Sequence, residues 1–569
     1  MIAATDHKTG GTADASPVLA AVLVVIVALA AFSFAFTPLR SSQDEWWHLK
    51  AGRWIVENRR LPVFDIFTYT GENTPWHNHE WLSQVILYGV YAAGEDRAIG
   101  GVRALVLFKA VIVAATFAFL TFAAFRRSGS WTAAALVGLV AAEISRRTIY
   151  PRPPIFSYLL FAVFLFALAE WKSGRLRGRW LWLLVPLMVL WANLHGMCLL
   201  GIVAAAGFAG GEVLEGVTKW LGGRRNGGDG PERIRCVAMR PVALLGGLTA
   251  ALVVGAMASP SGWEIFFLGG KFKNDPILKQ VIAEMLPTPF FLRQVPLDDG
   301  SSRLVFVPGY AAFWVALAAF GLLLACNRGR LPWGADYLLS GFFAWQAVMH
   351  WRLLPLFAIA AAGPLAWLLS RSHRPGARLS QAAAVPVLAA LFVFAVGEPP
   401  PQTFFRRNMQ VLRGEVMDPV SYPEPLMKFI IRANLPGRMF SEINYCGYAI
   451  WWLSPEHHKL FTDNRFDVWG SRYFVEHEVV RNGVDAHSSV LGRGWSDILD
   501  EYGVNFIVLS RDAPLNERLT PGSGWLRVAS YPPEGEDRQP WYHVYLRDVP
   551  EFADTAVRAR HLAETGMMP

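Results

Sequence analysis

A helix that crosses a bilayer needs about 20 mostly apolar residues, because hydrocarbon offers backbone polar groups no partner. This chain supplies such runs repeatedly, near 17–37, 101–125, 131–149, 154–171, 180–196, 197–216, 241–258, 307–326, 334–350, 353–370 and 381–397. That pattern predicts an α-helical polytopic membrane protein of about 11 spans. A mean hydropathy of +0.29 and only 17% charged residues agree with it. The run WLSQVILYGVYAAG (81–94) is too short to cross and reads as interfacial or re-entrant. The polar stretch ahead of residue 17 lacks a signal peptide's basic character, and no convincing cleavage site follows. The first run therefore reads as a retained helix.

Loop charge orients these spans. RRSGS (126–130), KSGRLRGR (172–179), the basic stretch 219–240, NRGR (327–330) and RSHRPGAR (371–378) follow the second, fourth, sixth, eighth and tenth runs, all on one side. By the positive-inside rule that side is cytoplasmic, so the net charge of +8 needs no nucleic-acid partner. The N-terminus then lies inside, and everything beyond about residue 398 lies outside. The four cysteines, Cys198, Cys236, Cys326 and Cys446, have neither zinc-site nor disulfide-framework spacing.

From about Pro399 the long apolar runs stop. Segments 438–443, 458–463, 504–510, 525–531 and 541–548 read as strands, and PEPLMKFIIRANL and WSDILDEYG as helices. The expected organisation is a transmembrane domain over 1–398, with a first external loop at 38–100, and an extracytoplasmic α/β domain over 399–569.

The outer face collects the unusual residues. SSQDEWWHLKAG (41–52) matches an S-x-x-E capping box ending at Glu45. Trp47, Ala51, Trp54 and Ile55 would then form the apolar face of a helix lying on the membrane. The same helix can instead mount a carboxylate, Asp44 or Glu45, that removes a proton or holds a divalent metal such as Mg or Mn. His48, His77, His79 and Glu80 read either as interface chemistry or as lining for an acceptor or metal. Arg146, Arg147 and Arg152 stand where the positive-inside rule least wants cations. They suit a phosphate gripped bidentately, or lipid headgroups. Asn193 and His195 interrupt an apolar hairpin at its outer turn, and His350 and Arg352 do so at another. Glu284 sits in a long external loop. Asp463, Arg465 and Asp467 read as a salt-bridged turn that docks the outer domain.

The segments DEWWHLKAGRWI, LPVFDIFTYTGENTPWHNHEWLSQ, YPRPPIFSYLL, LWANLHG, ASPSGWEIF, the Arg352-Leu-Leu-Pro turn and RMFSEINYCGYAIWWLSPEHHKLFTDNRFDVWG together resemble a group of bacterial membrane proteins allied to the GT-C glycosyltransferase superfamily. The resemblance covers nearly the whole chain. It implies a bacterial inner-membrane enzyme that takes a sugar from a polyprenyl-phosphate carrier on the outer face and typically inverts the anomeric centre. The acceptor would be a glycan, lipid or protein. It also implies an acidic first-loop residue, here Asp44 with Glu45 beside it, acting as base or metal ligand. An HPP-type motif after the first loop and a WWD-type motif in the outer domain are absent; HNHEWL and WWLSP stand there instead. No cytoplasmic loop carries a nucleotide-binding fingerprint, which argues against a sugar-nucleotide donor. The rival expectation is a non-catalytic transporter, flippase or scaffold for lipid-linked glycans.

Overall fold

The computed structural model describes residues 17–39, 43–97, 99–226, 231–268, 275–282, 285–290, 292–296, 302–327, 331–371, 402–532 and 541–565. The helices of the membrane region are α1 (Pro17–Ala35), α2 (Asp44–Asn58), α3 (Trp81–Asp96), α4 (Gly101–Ser128), α5 (Trp131–Ser145), α6 (Pro154–Lys172), α7 (Leu184–Leu194), α8 (Leu199–Asn226) and α9 (Pro231–Ala256). A short α10 (Pro276–Val281) and a hairpin, β1 (Leu292–Pro296) and β2 (Ser302–Phe306), occupy the long connection after α9. Then come α11 (Pro308–Cys326), α12 (Gly334–Met349) and α13 (Leu354–Arg371).

Among the described residues, seven segments are long and apolar enough to cross a membrane: Pro17–Ala35, Gly101–Ser128, Pro154–Lys172, Gly196–Leu221, Met239–Ala256, Pro308–Cys326 and Trp351–Arg371. The runs at 131–149, 180–196 and 334–350 form shorter helices of 15, 11 and 16 residues. The run at 381–397 lies outside the described residues, as does Glu284.

Charge gathers at one end of the bundle. Arg126 and Arg175 both pair with Glu170, Arg127 pairs with Asp336 at 2.6 Å, and Lys172 pairs with Glu212 and with Glu215, the latter at 2.8 Å. The ends of α4 and α6 and the start of α12 thus lie at the same end of the bundle. The opposite ends meet α2, α3 and the C-terminal domain.

That domain contains α14 (Gln402–Arg413), α15 (Glu424–Ala433), β3 (Arg438–Ser441), α16 (Cys446–Leu453), α17 (Arg472–Arg481), α18 (Trp495–Glu501), β4 (Val504–Ser510), β5 (Trp525–Tyr531), β6 (Tyr542–Arg547) and α19 (Ala553–Glu564). The sheet order is β3-β4-β6-β5, with β3 parallel to β4 and the other pairs antiparallel. Alternation along β4 sends Phe506 and Val508 to one core and Ile507 and Leu509 to the other, so this central strand is apolar on both faces. The segment 458–463 forms no strand; Leu460 makes only isolated bridges to Thr68 and Met439.

The core holding Phe506 and Val508 continues into Trp46, Trp47 and Leu49 of α2 and Leu87 of α3. This corrects the expected surface helix. Residues Glu45 to Gly52 are all buried, because α2 is clasped by α3 on one side and α16 on the other. Two glycines permit the clasp. A Cβ on Gly52 would lie 2.1 Å from the Gln84 carbonyl oxygen, and one on Gly447 would lie 1.9 Å from that of Gln43.

Candidate functional site

Of the S-x-x-E stretch, Ser42 lies outside the described residues. Helix α2 starts at Asp44 behind Gln43, whose side chain does not cap it. Glu45, 1% exposed, accepts a 2.7 Å hydrogen bond from the Tyr422 hydroxyl. Burial, and then the nearby Glu45 charge, raise the pKa of that phenol, so it stays a donor. Gln43 ties the same turn to the outer domain, donating to the Ser421 carbonyl and accepting from the Tyr448 amide. Asp44 points elsewhere. Its Oδ2 receives Arg152 Nη1 at 2.5 Å and its Oδ1 receives Asn464 Nδ2 at 2.5 Å. It keeps 27% of its side-chain surface, so a second molecule can reach it; Glu45 is closed off.

One turn along α2, His48 faces Glu80. His48, His79 and His195 direct Nε2 towards the Glu80 carboxylate at 3.8, 3.8 and 3.2 Å. Each ring's Nδ1 has its own neighbour: Gln84 for His48, the His77 carbonyl for His79, and the Ser157 hydroxyl for His195 at 2.8 Å. Burial is the main cause that lowers the pKa of His48 and His195 well below the ordinary value. Nearby cations and rings, including Arg152 for both, add to it and outweigh the neighbouring Glu80. Ser157, His195 and Glu80 form a chain like that of a hydrolase triad. However, Ser157 is buried inside α6 and receives Trp191 Nε1–H at 2.8 Å, so the chain orients His195 rather than arming a nucleophile.

Asn193 closes this wall. It accepts from Trp81 Nε1 at 2.7 Å and donates to the carbonyls of Val189 and Ala258, a helix-ending role. His77 is exposed and faces Glu264 at 3.3 Å. His350 Nδ1–H donates to the Met285 carbonyl at 2.7 Å and fastens the connection after α9, and the charge of Arg352 acts on His195.

Arg146 and Arg147 leave this group and line a polar cavity of about 320 Å³ with Lys109, Tyr150, Trp351 and Arg407. Four cations face one acid, Glu143, which lies 3.8 Å from Arg146. Phe34, Glu143 and Pro308 also line an apolar cavity of about 210 Å³ that runs between α1, α5, α11 and α13. Arg152 stacks over Tyr150, 4.7 Å from guanidinium carbon to ring centroid, so the Asp44–Arg152 pair abuts the cationic wall. Sequence reasoning passed over Lys109, Arg407, Asn464 and Tyr422. Lys109 left a readable signal, a lone charge inside an apolar run. The other three depend on distant chain contacts.

The turn at 463–465 joins the C-terminal domain to the first loop. Arg465 is fully buried between Asp463 at 2.6 Å and Asp65 of the first loop at 2.5 Å. The side chain of Asp467 is outside the described set. Among the described residues, no group of three His, Cys, Asp or Glu is placed to hold a metal ion. Asp44 and Glu45, the pair expected to supply ligands, diverge to Arg152 and Tyr422.

No known protein family matches the sequence, and no curated protein matches it either. Solved structures do. The apo form of the Archaeoglobus fulgidus oligosaccharyltransferase aligns over 96% of this chain and 78% of that chain, with 12% identity and a TM-score of 0.53. The Archaeoglobus fulgidus oligosaccharyltransferase AglB in complex with an inhibitory peptide and a dolichol-phosphate aligns over 86% of this chain and 69% of that one, with 12% identity and a TM-score of 0.49. The complex of that oligosaccharyltransferase with Zn and sulfate gives 86%, 68%, 11% and 0.43. At such identity the likeness to the apo form shows the fold alone: a bundle of long apolar helices carrying a small C-terminal sheet domain.

Proposed function

We propose that this chain is a membrane glycosyltransferase that moves a sugar from a polyprenyl-phosphate carrier to an acceptor on the outer face of a bacterial inner membrane. One observation carries the reading: a cavity bearing four cations opens beside an apolar cavity between helices, and a partly exposed carboxylate, Asp44, is linked to it through Arg152 stacked on the lining residue Tyr150. An anionic headgroup fits the first cavity and an isoprenoid chain fits the second. The basic bundle end, with Arg126, Arg127 and Arg175, would face the cytoplasm.

In the proposed reaction Asp44 takes the proton of the acceptor nucleophile as it attacks the anomeric carbon. The bond from that carbon to the phosphate oxygen breaks, and the lipid phosphate leaves with the bonding pair. Lys109, Arg146, Arg147 and Arg407 stabilise the charge that develops on it. His48, His79, Glu80 and His195 would line the acceptor side, with the two buried rings neutral. A flippase or scaffold would hold the same lipid without needing a carboxylate linked to the cavity. Turnover separates the readings. With purified protein in lipid nanodiscs and a labelled polyprenyl-phosphate sugar, Asp44→Asn should cut transfer by about 10²–10⁴-fold while donor binding and melting temperature stay near wild type. A well-folded variant that transfers at the wild-type rate overturns the assignment of Asp44 as base.

A further inference from the structure

We propose that Arg152 is the resident cation of the Asp44 site: its guanidinium takes the place on the carboxylate that a divalent ion would take, and the site works without a bound metal. The inference rests on Asp44 being the acting carboxylate.

Both Asp44 oxygens are already engaged, Oδ2 by Arg152 Nη1 and Oδ1 by Asn464 Nδ2, each at 2.5 Å. The guanidinium is permanently charged, so its compensation of the carboxylate does not vary with pH. Its backbone is set by Pro151, Pro153 and Pro154, and its amide donates to the Tyr150 carbonyl at 2.9 Å. Its side chain is 15% exposed and stacked on the Tyr150 ring. This is a fixed positive charge rather than a mobile surface group.

The other acids of the region are committed elsewhere: Glu45 to Tyr422, Glu80 among three imidazoles, Asp463 and Asp65 to Arg465. A divalent ion at Asp44 would gain a single carboxylate and meet a guanidinium already bonded to it. Arg152 is thus a positioning residue. It orients Asp44 beside the Tyr150 edge of the cationic cavity, with Asn464 of the C-terminal domain fixing the second oxygen.

The test is Mn²⁺ binding by full-length protein in lipid nanodiscs, followed by electron paramagnetic resonance with no donor present. It is therefore independent of whether sugar transfer is the reaction. Wild type and Arg152→Lys, which both keep the charge, should show no Mn²⁺ binding that depends on Asp44. Arg152→Ala frees the carboxylate and removes the repulsion. It should gain a site at least about tenfold tighter than any in wild type, as expected when one fixed charge a few ångström away is deleted, and Asp44→Asn should abolish it. A purely structural salt bridge predicts no such gain, so a folded Arg152→Ala chain that binds Mn²⁺ no better than wild type overturns the proposal. One Mn²⁺ per wild-type chain, lost in Asp44→Asn, also overturns it. That comparison decides alone should Arg152→Ala fail to fold.

Discussion

Replacing Arg465 by Met should loosen the joint between the outer domain and the first external loop, and with it the Asp44 site. Arg465, Asp463 and Asp65 all have side chains that are 0% exposed. Arg465 Nη2 donates to Asp65 at 2.5 Å and to Asp463 at 2.6 Å, and its Nε donates to both Asp463 oxygens at 3.0–3.1 Å. The guanidinium also packs against Trp76 and Phe67, 4.7 and 4.8 Å from the ring centroids. Methionine keeps much of the volume but leaves two carboxylates buried together. Breaking a buried ion pair by removing one partner costs about 3–5 kcal/mol, a large part of the roughly 5–15 kcal/mol that holds a domain folded. Arg465→Lys should also be costly, because one ammonium cannot span both carboxylates and both rings. The assay is thermal unfolding of wild type, Arg465→Met, Asp463→Asn and the double variant. Because Asp463→Asn removes one of the orphaned charges, the double variant should be less damaged than the sum of the singles, by about 0.5–3 kcal/mol. Additive losses, or an Arg465→Met cost below about 1 kcal/mol, within the range of exposed pairs, would refute the reasoning. Asn464 bonds Asp44, so a loosened turn should also slow transfer.

Two further outcomes follow from charge. His48 and His195 titrate below their ordinary value when folded, so the unfolded chain takes up protons first as pH falls. Stability should therefore drop from about pH 6.5 towards the lower folded value, by at most about 1.4 kcal/mol per pH unit for each ring. His48→Gln and His195→Asn should flatten melting temperature against pH in that window, and a wild-type curve already flat there would contradict the burial argument. For orientation, in a chain lacking the exposed Cys326, a cysteine at the exposed position Arg177 should react only with membrane-permeant reagents, whereas one at the exposed position Thr520 should react from outside. Equal labelling of both from one side would contradict the proposed topology.

Local signals carried the architecture further than the site. Apolar runs announce helices because each span satisfies its own backbone, and basic loops mark bundle ends because charge stays out of hydrocarbon. Strands β4 and β5 were readable to the residue, since alternation and β-branched content act over a few positions. The S-x-x-E pattern gives no hint that Glu45 bonds Tyr422, a partner 377 positions away. The Arg152–Asp44 bond spans 108 positions and carries no local trace. Segment 458–463 has strand composition, but its ladder pairing to β3 and the first loop is limited to isolated bridges at Leu460. The three arginines of the YPRPP region were visible as out-of-place cations. Their division into a cationic cavity wall and an Asp44 partner appears only in three dimensions.

A lipid phosphate is proposed to sit among Lys109, Arg146, Arg147 and Arg407 with its chain between α1, α5, α11 and α13. The decisive measurement is a structure of the protein with a bound polyprenyl phosphate. Phosphate oxygens should lie within hydrogen-bond distance of Arg146 and Arg147, and the isoprenoid against Phe34, Leu136, Val140 and Val315. A headgroup found instead at the opposite bundle end, beside Arg126 and Arg127, would contradict it.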